Sequence, residues 1–220
     1  MKKTGKTIAA RSDGIEARQR LLHSALRLFA EKGFSKTSTR EIALAAGANI
    51  ASISYYFGDK AGLYRAVFAD PLGHPNEDPA LFDQPDFSLR QSLQGLLVGF
   101  TEPLKQGDLA QHCMRLHFRE MLEPTGVWDQ QIDAHIKPAH EALLRVLCRH
   151  LGLPQADDDL HRLAFSIVGL GIHLFVGHEV MQALKPELAG TPQAIDLYTE
   201  RLVDYALAMV HSEALRRQPV

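Results

Sequence analysis

The stretch from Ser38 to Tyr64 constrains the fold of this chain most, because it carries start signals for three short helices in succession. It reads STREIALAAGANIASISYYFGDKAGLY. Ser38 with Glu41 three residues later is a capping-box pattern, and Asn49 and Asp59 are residue types that cap helix N-termini. These signals predict helices over 39–46, 50–57 and 60–69, the first two joined by a tight turn. That arrangement is a helix-turn-helix.

Helical periodicity continues along the rest of the chain, and no stretch alternates like a β-strand. Residues 70–87 hold four of the eleven prolines and are predicted to form a linker. The sequence therefore predicts an all-α fold with a basic tail over 1–15, a three-helix helix-turn-helix domain and a linking fourth helix over 16–69, and a larger helical domain over 70–220. Outside the first stretch, helices are predicted over 16–32, ended by Gly33, and over 88–105, 108–123, 128–151 (kinked or split at Pro138), 157–185 and 192–216.

Charge is divided unevenly along the chain. Residues 1–65 contain 12 Lys and Arg against 5 Asp and Glu, whereas the whole chain has a net charge of −2. A basic N-terminal third on an acidic body indicates that the first part faces a polyanion. We expect a cytoplasmic protein with no membrane contact, because no secretory signal is present and the most apolar segment, 163–177, is shorter than the ~20 residues that cross a bilayer. Cys113 and Cys148 are expected to be reduced thiols.

The second helix of a helix-turn-helix enters the major groove of DNA, so its exposed side chains are predicted to read bases. Residues in the first turns of the flanking helices are predicted to contact phosphates, since backbone N–H groups and the helix dipole favour anions there. The predicted DNA-binding residues are Thr39, Arg40, Asn49, Ala51, Ser52, Ser54, Tyr55, Tyr56 and Lys60. Ile50 and Ile53 are expected to turn inward or to meet thymine methyl groups. A helical hairpin with surface tyrosines would show some of the same residues.

Residues 16–68 resemble the DNA-binding domain of the tetracycline-repressor (TetR) family of bacterial regulators. The form GANIASISYYFGDKAGLY is similar to that of the CecR-like subgroup, and residues 118–147 resemble its C-terminal domain. Many members carry lysine and glycine early in the reading helix, where this chain has Ile50 and Ala51. The resemblance is carried by Phe29, Gly33, Phe34, Thr37, Thr39, Ile42, Ala43, Ala46, Gly47, Tyr55, Phe57, Lys60 and Leu63.

The resemblance implies a homodimeric repressor, without a cofactor, that binds a palindromic operator on double-stranded DNA. The repressor would leave the operator when a small-molecule effector binds the larger helical domain over 70–220. The predicted effector-binding residues are Phe100, Met114, Arg115, Phe118, Met121, Trp128, His135 and His173, although aromatic and methionine side chains at helical spacing often belong to a core. Arg119 and Glu120 are expected to form an ion pair or a cap.

The last two helices are the predicted dimer surface, because they hold more apolar area than one helix can bury and Gly169, Gly171 and Gly177 allow close approach. The predicted interface residues are Leu170, Leu174, Leu197, Leu202, Tyr205 and Met209. The alternative is that these helices only close the core of one chain.

Two other classes of protein remain open at this point. One is a helical protein that sequesters a hydrophobic small molecule and retains the helix-turn-helix as a remnant. The other is a metal-dependent enzyme that uses some of the eleven histidines. The closest helical histidine pairs, such as His112 and His117, are five residues apart, whereas two ligands on one helix face need a spacing of three or four. We therefore expect no metal site and no enzymatic activity.

Overall fold

The computed structural model describes residues 4–69 and 78–218, with side chains from residue 14 onward. Within these ranges the chain forms helices and turns but no strand, which confirms the predicted all-α class. The helices are α1 (Thr4–Lys36), α2 (Thr39–Ala45), α3 (Ile50–Phe57), α4 (Lys60–Phe68), α5 (Leu89–Thr101), α6 (Asp108–Leu122), α7 (Val127–Gln131), α8 (Lys137–Leu151), α9 (Asp158–Val176), α10 (His178–Leu184) and α11 (Pro192–Arg216).

The three capping residues act as the sequence predicts. The Ser38 hydroxyl accepts a hydrogen bond from the Glu41 backbone N–H at 3.1 Å, which starts α2. The Asn49 side-chain oxygen accepts from the N–H of Ala51 at 2.9 Å, and the Asp59 carboxylate accepts from that of Gly62 at 2.7 Å. Each cap satisfies one donor that the first helical turn leaves without a partner, and so fixes where α2, α3 and α4 begin.

The first helix differs from the prediction at its beginning. It starts at Thr4 rather than near residue 16, so the backbone of the predicted tail is helical from residue 4. The apolar periodicity that marks a helix begins only where the helix meets a core, and the residues before it include good helix formers and no proline. At the other end Gly33 interrupts the helical geometry with φ of 79°, as predicted.

Three later helices are broken where the sequence places helix-disfavouring residues. Pro103 lies in a 3₁₀ turn, Glu102–Gln106, that follows the end of α5. A π-helical turn, Ile132–Ile136, separates α7 from α8, and Pro138 lies in the first turn of α8, which agrees with the predicted split. The prediction of one helix over 157–185 is wrong, because Gly177 ends α9 and α10 begins at the next residue.

The chain folds into two compact units. The first contains the described residues up to 69 together with 108–127. In its core, Leu26 and Phe29 of α1 lie with Leu63 of α4 and with Cys113 and Leu116 of α6. The predicted division at residue 69 differs from this packing, because the inner face of α6 belongs to the same core as α1. A linker composition marks where a chain leaves a unit but not whether a later helix returns to it.

The second unit contains the described part of 75–107 together with 128–218, and its main helices are α5, α8, α9 and α11. Its core includes Leu97, Leu147, Ile167 and Leu202. Among the described residues, α9 alone is long and apolar enough to cross a membrane, with about a third of it buried. Since residues such as Ile167 lie in the core of this unit, we interpret α9 as a core helix that leaves one face uncovered.

Candidate nucleic-acid interface

The turn between α2 and α3 is formed around a glycine. Gly47 has φ of 59°, a left-handed conformation that glycine adopts without the strain other residues meet. The N–H of Ala48 donates to the carbonyl of Ala43 at 2.9 Å and closes the turn. From α1, the Arg20 guanidinium donates to the carbonyl of Ala46 at 3.2 Å. The end of α2 and the start of α3 are therefore fixed against the longest helix of the unit.

The reading helix α3 has a buried inner face and an exposed outer face. Ile53 is 1% exposed and lies in the core of the first unit, whereas Tyr55 is 82% exposed. Ile50 also faces outward, so of the two isoleucines only Ile53 turns inward. The predicted base-reading residues divide accordingly: Asn49, Ala51, Ser54 and Tyr55 are exposed, while Ser52 and Tyr56 are half-buried. The outer face presents a hydroxyl, a phenol, a methyl group and the Asn49 amide, which suit base edges and thymine methyls.

Three consecutive aromatic rings occupy the C-terminal end of α3. The rings of Tyr55 and Tyr56 are edge to face with centroids 4.9 Å apart, and Tyr56 and Phe57 are 6.1 Å apart. Phe57 packs against the core, and the Arg18 guanidinium of α1 lies 5.4 Å from the centre of its ring. Phe57 therefore anchors the end of α3 on its inner side, and Tyr55 projects from that end.

Lys60 lies in the first turn of α4, where the sequence predicts a phosphate contact. Its ammonium group is 4.4 Å from the centre of the Phe34 ring, a cation–π distance. Partial burial lowers the pKa of Lys60 from its ordinary value. Of the other predicted phosphate contacts, Arg40 is exposed and Thr39 is half-buried in the first turn of α2. All three lie at helix N-termini, where backbone N–H groups favour an anion.

A buried carboxylate connects α4 to α6. Glu120 is fully buried and accepts hydrogen bonds from the Tyr64 hydroxyl at 2.8 Å, from the Thr125 backbone N–H at 2.7 Å and from the Val127 N–H at 3.2 Å. Burial, and then the bond to this carboxylate, raises the pKa of Tyr64 well above its usual range. Of the two roles predicted for Arg119 and Glu120, the ion pair is wrong, since Arg119 lies near Glu123. The cap is present for Glu120, which accepts from the backbone N–H groups of Thr125 and of Val127 at the start of α7.

A cleft of about 360 Å³ lies in the first unit. It is lined by Phe34, Ser35, Tyr64, Arg119, Glu123, Pro124 and Thr125, and none of the eight predicted effector-binding residues is among them.

The structure does not gather those eight residues into one site. Phe100 and Met114 are buried in the cores of different units, as the alternative interpretation expects. Met121, Arg115 and His135 are exposed, and Phe118 and Trp128 are half-buried. His173 is exposed, and its Nε2 atom lies 3.1 Å from the Tyr198 hydroxyl.

The six predicted interface residues differ in orientation. Leu174 and Leu202 are each 1% exposed and lie in the core of their own unit, so they are not available to a second chain and the prediction for them is wrong. Leu170 and Met209 are partly buried against that core, while Leu197 and Tyr205 are exposed on α11.

An apolar row on α9 is exposed at both ends, and apart from Gly169 the sequence did not single out its members. It consists of Phe165, Gly169, Ile172 and Val176. Phe165 and Val176 are more than 60% exposed, whereas Gly169 and Ile172 are half-buried. The spacing of four, three and four residues places these positions on one helix face. A side chain added at Gly169 would meet no atom of its own chain within 4 Å. The 15-residue apolar segment contains the signal, but the sequence does not fix which of its faces turns outward.

Two histidines, His140 and His161, form a close pair across two helices. The Nε2 atom of His140 in α8 is 3.0 Å from Nδ1 of His161 in α9, and the two rings are stacked. Burial, followed by the neighbouring His161, lowers the pKa of His140. No group of three or more His, Cys, Asp or Glu side chains that could hold a metal ion occurs in the part of the chain with described side chains.

Two family descriptions match this chain. Residues 21–67 match the bacterial regulatory proteins of the tetR family, and residues 89–211 match the C-terminal domain of the HTH-type transcriptional dual regulator CecR. The second match covers more than half of the chain.

Individual relatives agree with these matches. The chain is 31% identical over 179 residues to the HTH-type transcriptional dual regulator CecR of Shigella flexneri, covering 76% of this chain and 79% of that protein. It is 51% identical to the probable HTH-type transcriptional regulator YttP of Bacillus subtilis (strain 168), over 56 residues that cover 26% of this chain and 27% of that one. The crystal structure of HlyIIR, a hemolysin II transcriptional regulator, shares the fold with a TM-score of 0.60 at 21% identity, over 87% of this chain and 97% of that chain.

Proposed function

Because this chain belongs to the TetR family of DNA-binding transcriptional regulators, with a C-terminal domain of the CecR type, we propose that it is a repressor that binds a palindromic operator as a homodimer and is released by a small-molecule effector. The observation that carries the proposal is the division of α3 into an inner face anchored by Ile53 and an outer face led by Tyr55. An exposed phenol on a short, firmly anchored helix has no role in the core, but it suits a groove contact.

In this proposal α3 lies in the major groove with Ala51, Ser54 and Tyr55 toward the base edges. Arg40 and Lys60, at the N-termini of α2 and α4, contact the phosphates on either side. Base contacts choose the sequence, and phosphate contacts fix the position of the helix. This function requires access to the chromosome, so the expected location is the bacterial cytoplasm.

The proposed dimer contact uses the uncovered faces of α9 and α11. Phe165 and Val176 on α9, and Leu197 and Tyr205 on α11, give an exposed apolar surface. Large apolar patches on a soluble chain commonly mark interfaces. Two such helices from each protomer would form a four-helix bundle about a two-fold axis. The two α3 helices, one from each protomer, would lie about 34–36 Å apart and face successive major grooves.

Release of DNA follows from a preference of the effector for one shape of the dimer. An effector that binds equally well to both shapes changes nothing, however tightly it binds. The proposed effector binds the domain after residue 70 and favours a shape of the dimer in which the spacing of the two α3 helices no longer matches that of successive major grooves.

The test is a gel-shift and footprinting experiment on DNA upstream of the chain's own gene, at two stated salt concentrations. We expect protection of a palindrome and affinity that falls with salt, because phosphate contacts release counterions. Tyr198→Phe, which removes the hydroxyl bonded to His173 in the second unit, is the control for Tyr55→Phe on the reading helix and should bind as the wild type does. Absence of any protected site would contradict the proposal and favour the sequestering protein.

The dimer is tested separately by sedimentation. Phe165→Glu should dissociate it, because a charge on the uncovered face of α9 would have to be desolvated. Glu141→Gln on the exposed surface of α8 is the control. A Phe165→Glu protein that sediments as the wild-type dimer would exclude this face.

A further inference from the structure

The cleft of the first unit lies where the ends of α1 and α6 meet the middle of α4. Its volume of about 360 Å³ is within the range of ~300–1,000 Å³ that is usual for small-molecule sites. All of its lining residues belong to the first unit, including Pro124 and Thr125 of the turn after α6. None of the eight predicted effector-binding residues lines it, so its own side chains define what it can bind.

Two aromatic rings give the cleft an apolar wall. Phe34 of α1 and Tyr64 of α4 are edge to face, with ring centroids 5.0 Å apart. Tyr64 is buried, and its hydroxyl is held by Glu120, so this ring has a fixed position. Ser35 and Thr125 add hydroxyl groups to the lining. A flat apolar ligand can pack against such a wall, because aromatic rings favour stacked and edge-to-face contacts.

Arg119 gives the cleft a cation whose hydrogen-bond donors are not all used. A guanidinium has five N–H donors. The Nη2 atom of Arg119 donates to the carbonyl of Glu31 at 3.3 Å, and Nη1 is 3.7 Å from the Glu123 carboxylate, which is too far for a hydrogen bond. The Nε atom is buried and has no hydrogen-bond partner within the part of the chain that the structure describes. A buried donor without a partner is unfavourable, so an acceptor that reached it would stabilise the site.

Gly33 makes room for this guanidinium. It has φ of 79°, and a Cβ atom added to it would lie 3.2 Å from Nη1 and 3.3 Å from Cδ of Arg119. The Arg119 side chain therefore passes directly over the backbone of α1 at a residue that has no side chain. The same break that ends the regular part of α1 thus sets the position of the cation beside the aromatic wall.

The charges around the cleft favour an anion. Lys60 holds its ammonium group 4.4 Å from the centre of the Phe34 ring, so a second cation lies beside the aromatic wall. Among the lining residues only Glu123 is acidic, and its side chain is 70% exposed, so it can turn into solvent when an anion approaches Arg119. The nearby Glu120 carboxylate is buried among hydrogen-bond donors that compensate its charge.

We propose that this cleft binds a small aromatic carboxylate, with the carboxylate on Arg119 and the ring against Phe34 and Tyr64. A carboxylate matches the planar donor fork of a guanidinium, and hydrogen bonds between charged groups are stronger than those between neutral ones. The site lies in the unit that carries the reading helix and is additional to the effector site proposed for the domain after residue 70. Binding here requires no DNA, so the site does not depend on the proposed function.

Benzoate is the probe, and benzamide, which has the same ring without the charge, is its neutral counterpart. Binding to the full chain is measured by isothermal titration calorimetry at constant ionic strength, and the thermal unfolding midpoint is a second readout. Arg119→Gln removes the cation, and Arg65→Gln, which changes an exposed arginine of α4 in the same unit, is the matched control. Ser35→Phe keeps Arg119 but fills the cleft with a ring. Circular dichroism verifies the helix content of each variant.

The wild type and the Arg65→Gln protein should bind one benzoate per chain, ~10-fold or more tightly than benzamide, because the charged hydrogen bond is absent from the amide. Benzoate should also raise their unfolding midpoints, since a ligand that binds only the folded state stabilises it. Arg119→Gln should lose the preference for benzoate, and Ser35→Phe should weaken the binding of both compounds. If Arg119→Gln does not fold, the result for Ser35→Phe decides.

Two results would overturn the assignment of this site. Benzoate that binds the folded variants of the cleft as tightly as it binds the wild type would occupy another part of the chain. A wild type that binds no benzoate but still protects its operator would refute the carboxylate site and leave the proposed function intact. Benzoate binding that depends on Arg119, in a protein that protects no DNA, would support the site and refute the proposed function instead.

Discussion

The hydrogen bond between Tyr64 and Glu120 is the interaction whose removal we can predict in most detail. The Tyr64 hydroxyl donates to a fully buried carboxylate at 2.8 Å, and the same carboxylate accepts from Thr125 and Val127. A hydrogen bond to a charged group contributes about 1.5–3 kcal/mol, more than a bond between neutral groups. Tyr64→Phe removes the donor while the ring keeps its aromatic neighbours, so we expect the free energy of unfolding to fall by about 1.5–3 kcal/mol.

Glu120→Gln is the second member of the experiment. It keeps one oxygen for the backbone donors but replaces the charge with a neutral amide, so we expect a loss of about 1–3 kcal/mol. The double variant should lose less than the sum of the two single losses, because both remove the same charged bond. Tyr198→Phe, whose hydroxyl bonds to the exposed His173, is the control and should change the free energy by less than about 1 kcal/mol.

The assay is urea unfolding at one fixed protein concentration, followed by Trp128 fluorescence and far-UV circular dichroism. Fixing the concentration matters because self-association adds to apparent stability. Losses that add fully in the double variant, or a Tyr64→Phe protein as stable as the control, would refute the view that this bond joins α4 to α6.

Three further predictions concern other parts of the chain. Gly171→Ala should destabilise the second unit in thermal unfolding by about 1–3 kcal/mol, because the added Cβ atom would lie 2.6 Å from the Phe100 ring of α5 and overpack the core. Gly169→Ala, compared while both proteins remain dimeric, should not destabilise the unit; equal losses in the two variants would contradict the close contact between Gly171 and Phe100. Lowering the pH through the ordinary histidine pKa of ~6.5 should destabilise this unit, because the pKa of His140 is depressed in the folded protein. The unfolded chain then binds a proton that the folded protein does not, so the stability present above pH ~6.5 is lost as the pH falls. His140→Gln should flatten that dependence relative to His211→Gln, which changes an exposed histidine of α11; an unchanged pH profile would reject the assignment to the pair with His161. Lys60→Met should weaken binding evenly across DNA sequences and lower the salt slope, and a change in base preference instead would mean that Lys60 does not contact phosphate.

The local signals of the sequence predict the reading unit well. Ser38, Asn49 and Asp59 each cap the helix that follows, because a capping side chain acts within three residues of its own position. The split near Pro138 is equally local, because proline lacks the N–H that a helix interior needs. The prediction of one helix over 88–105 is wrong for the same local reason, since α5 ends at Thr101 and Pro103 lies in the 3₁₀ turn that follows.

Contacts between distant residues could not be predicted in the same way. Tyr64 and Glu120 are 56 residues apart, and only the return of α6 to the core of α1 brings them together. Leu174 and Leu202 have the composition of an interface but face their own core, because a helix with apolar residues on several sides does not reveal which side is covered from within. Phe165 was missed for the same reason.

The most direct test of the account is the base preference of the Tyr55→Ala protein. Affinity would be measured for the wild type and the variant on the footprinted operator and on operators with each base pair of the half-site changed in turn. The account predicts that Tyr55→Ala loses about 1–3 kcal/mol of discrimination at one or two neighbouring positions while its salt slope stays that of the wild type. Wild-type discrimination at every position would show that the outer face of α3 does not read the groove.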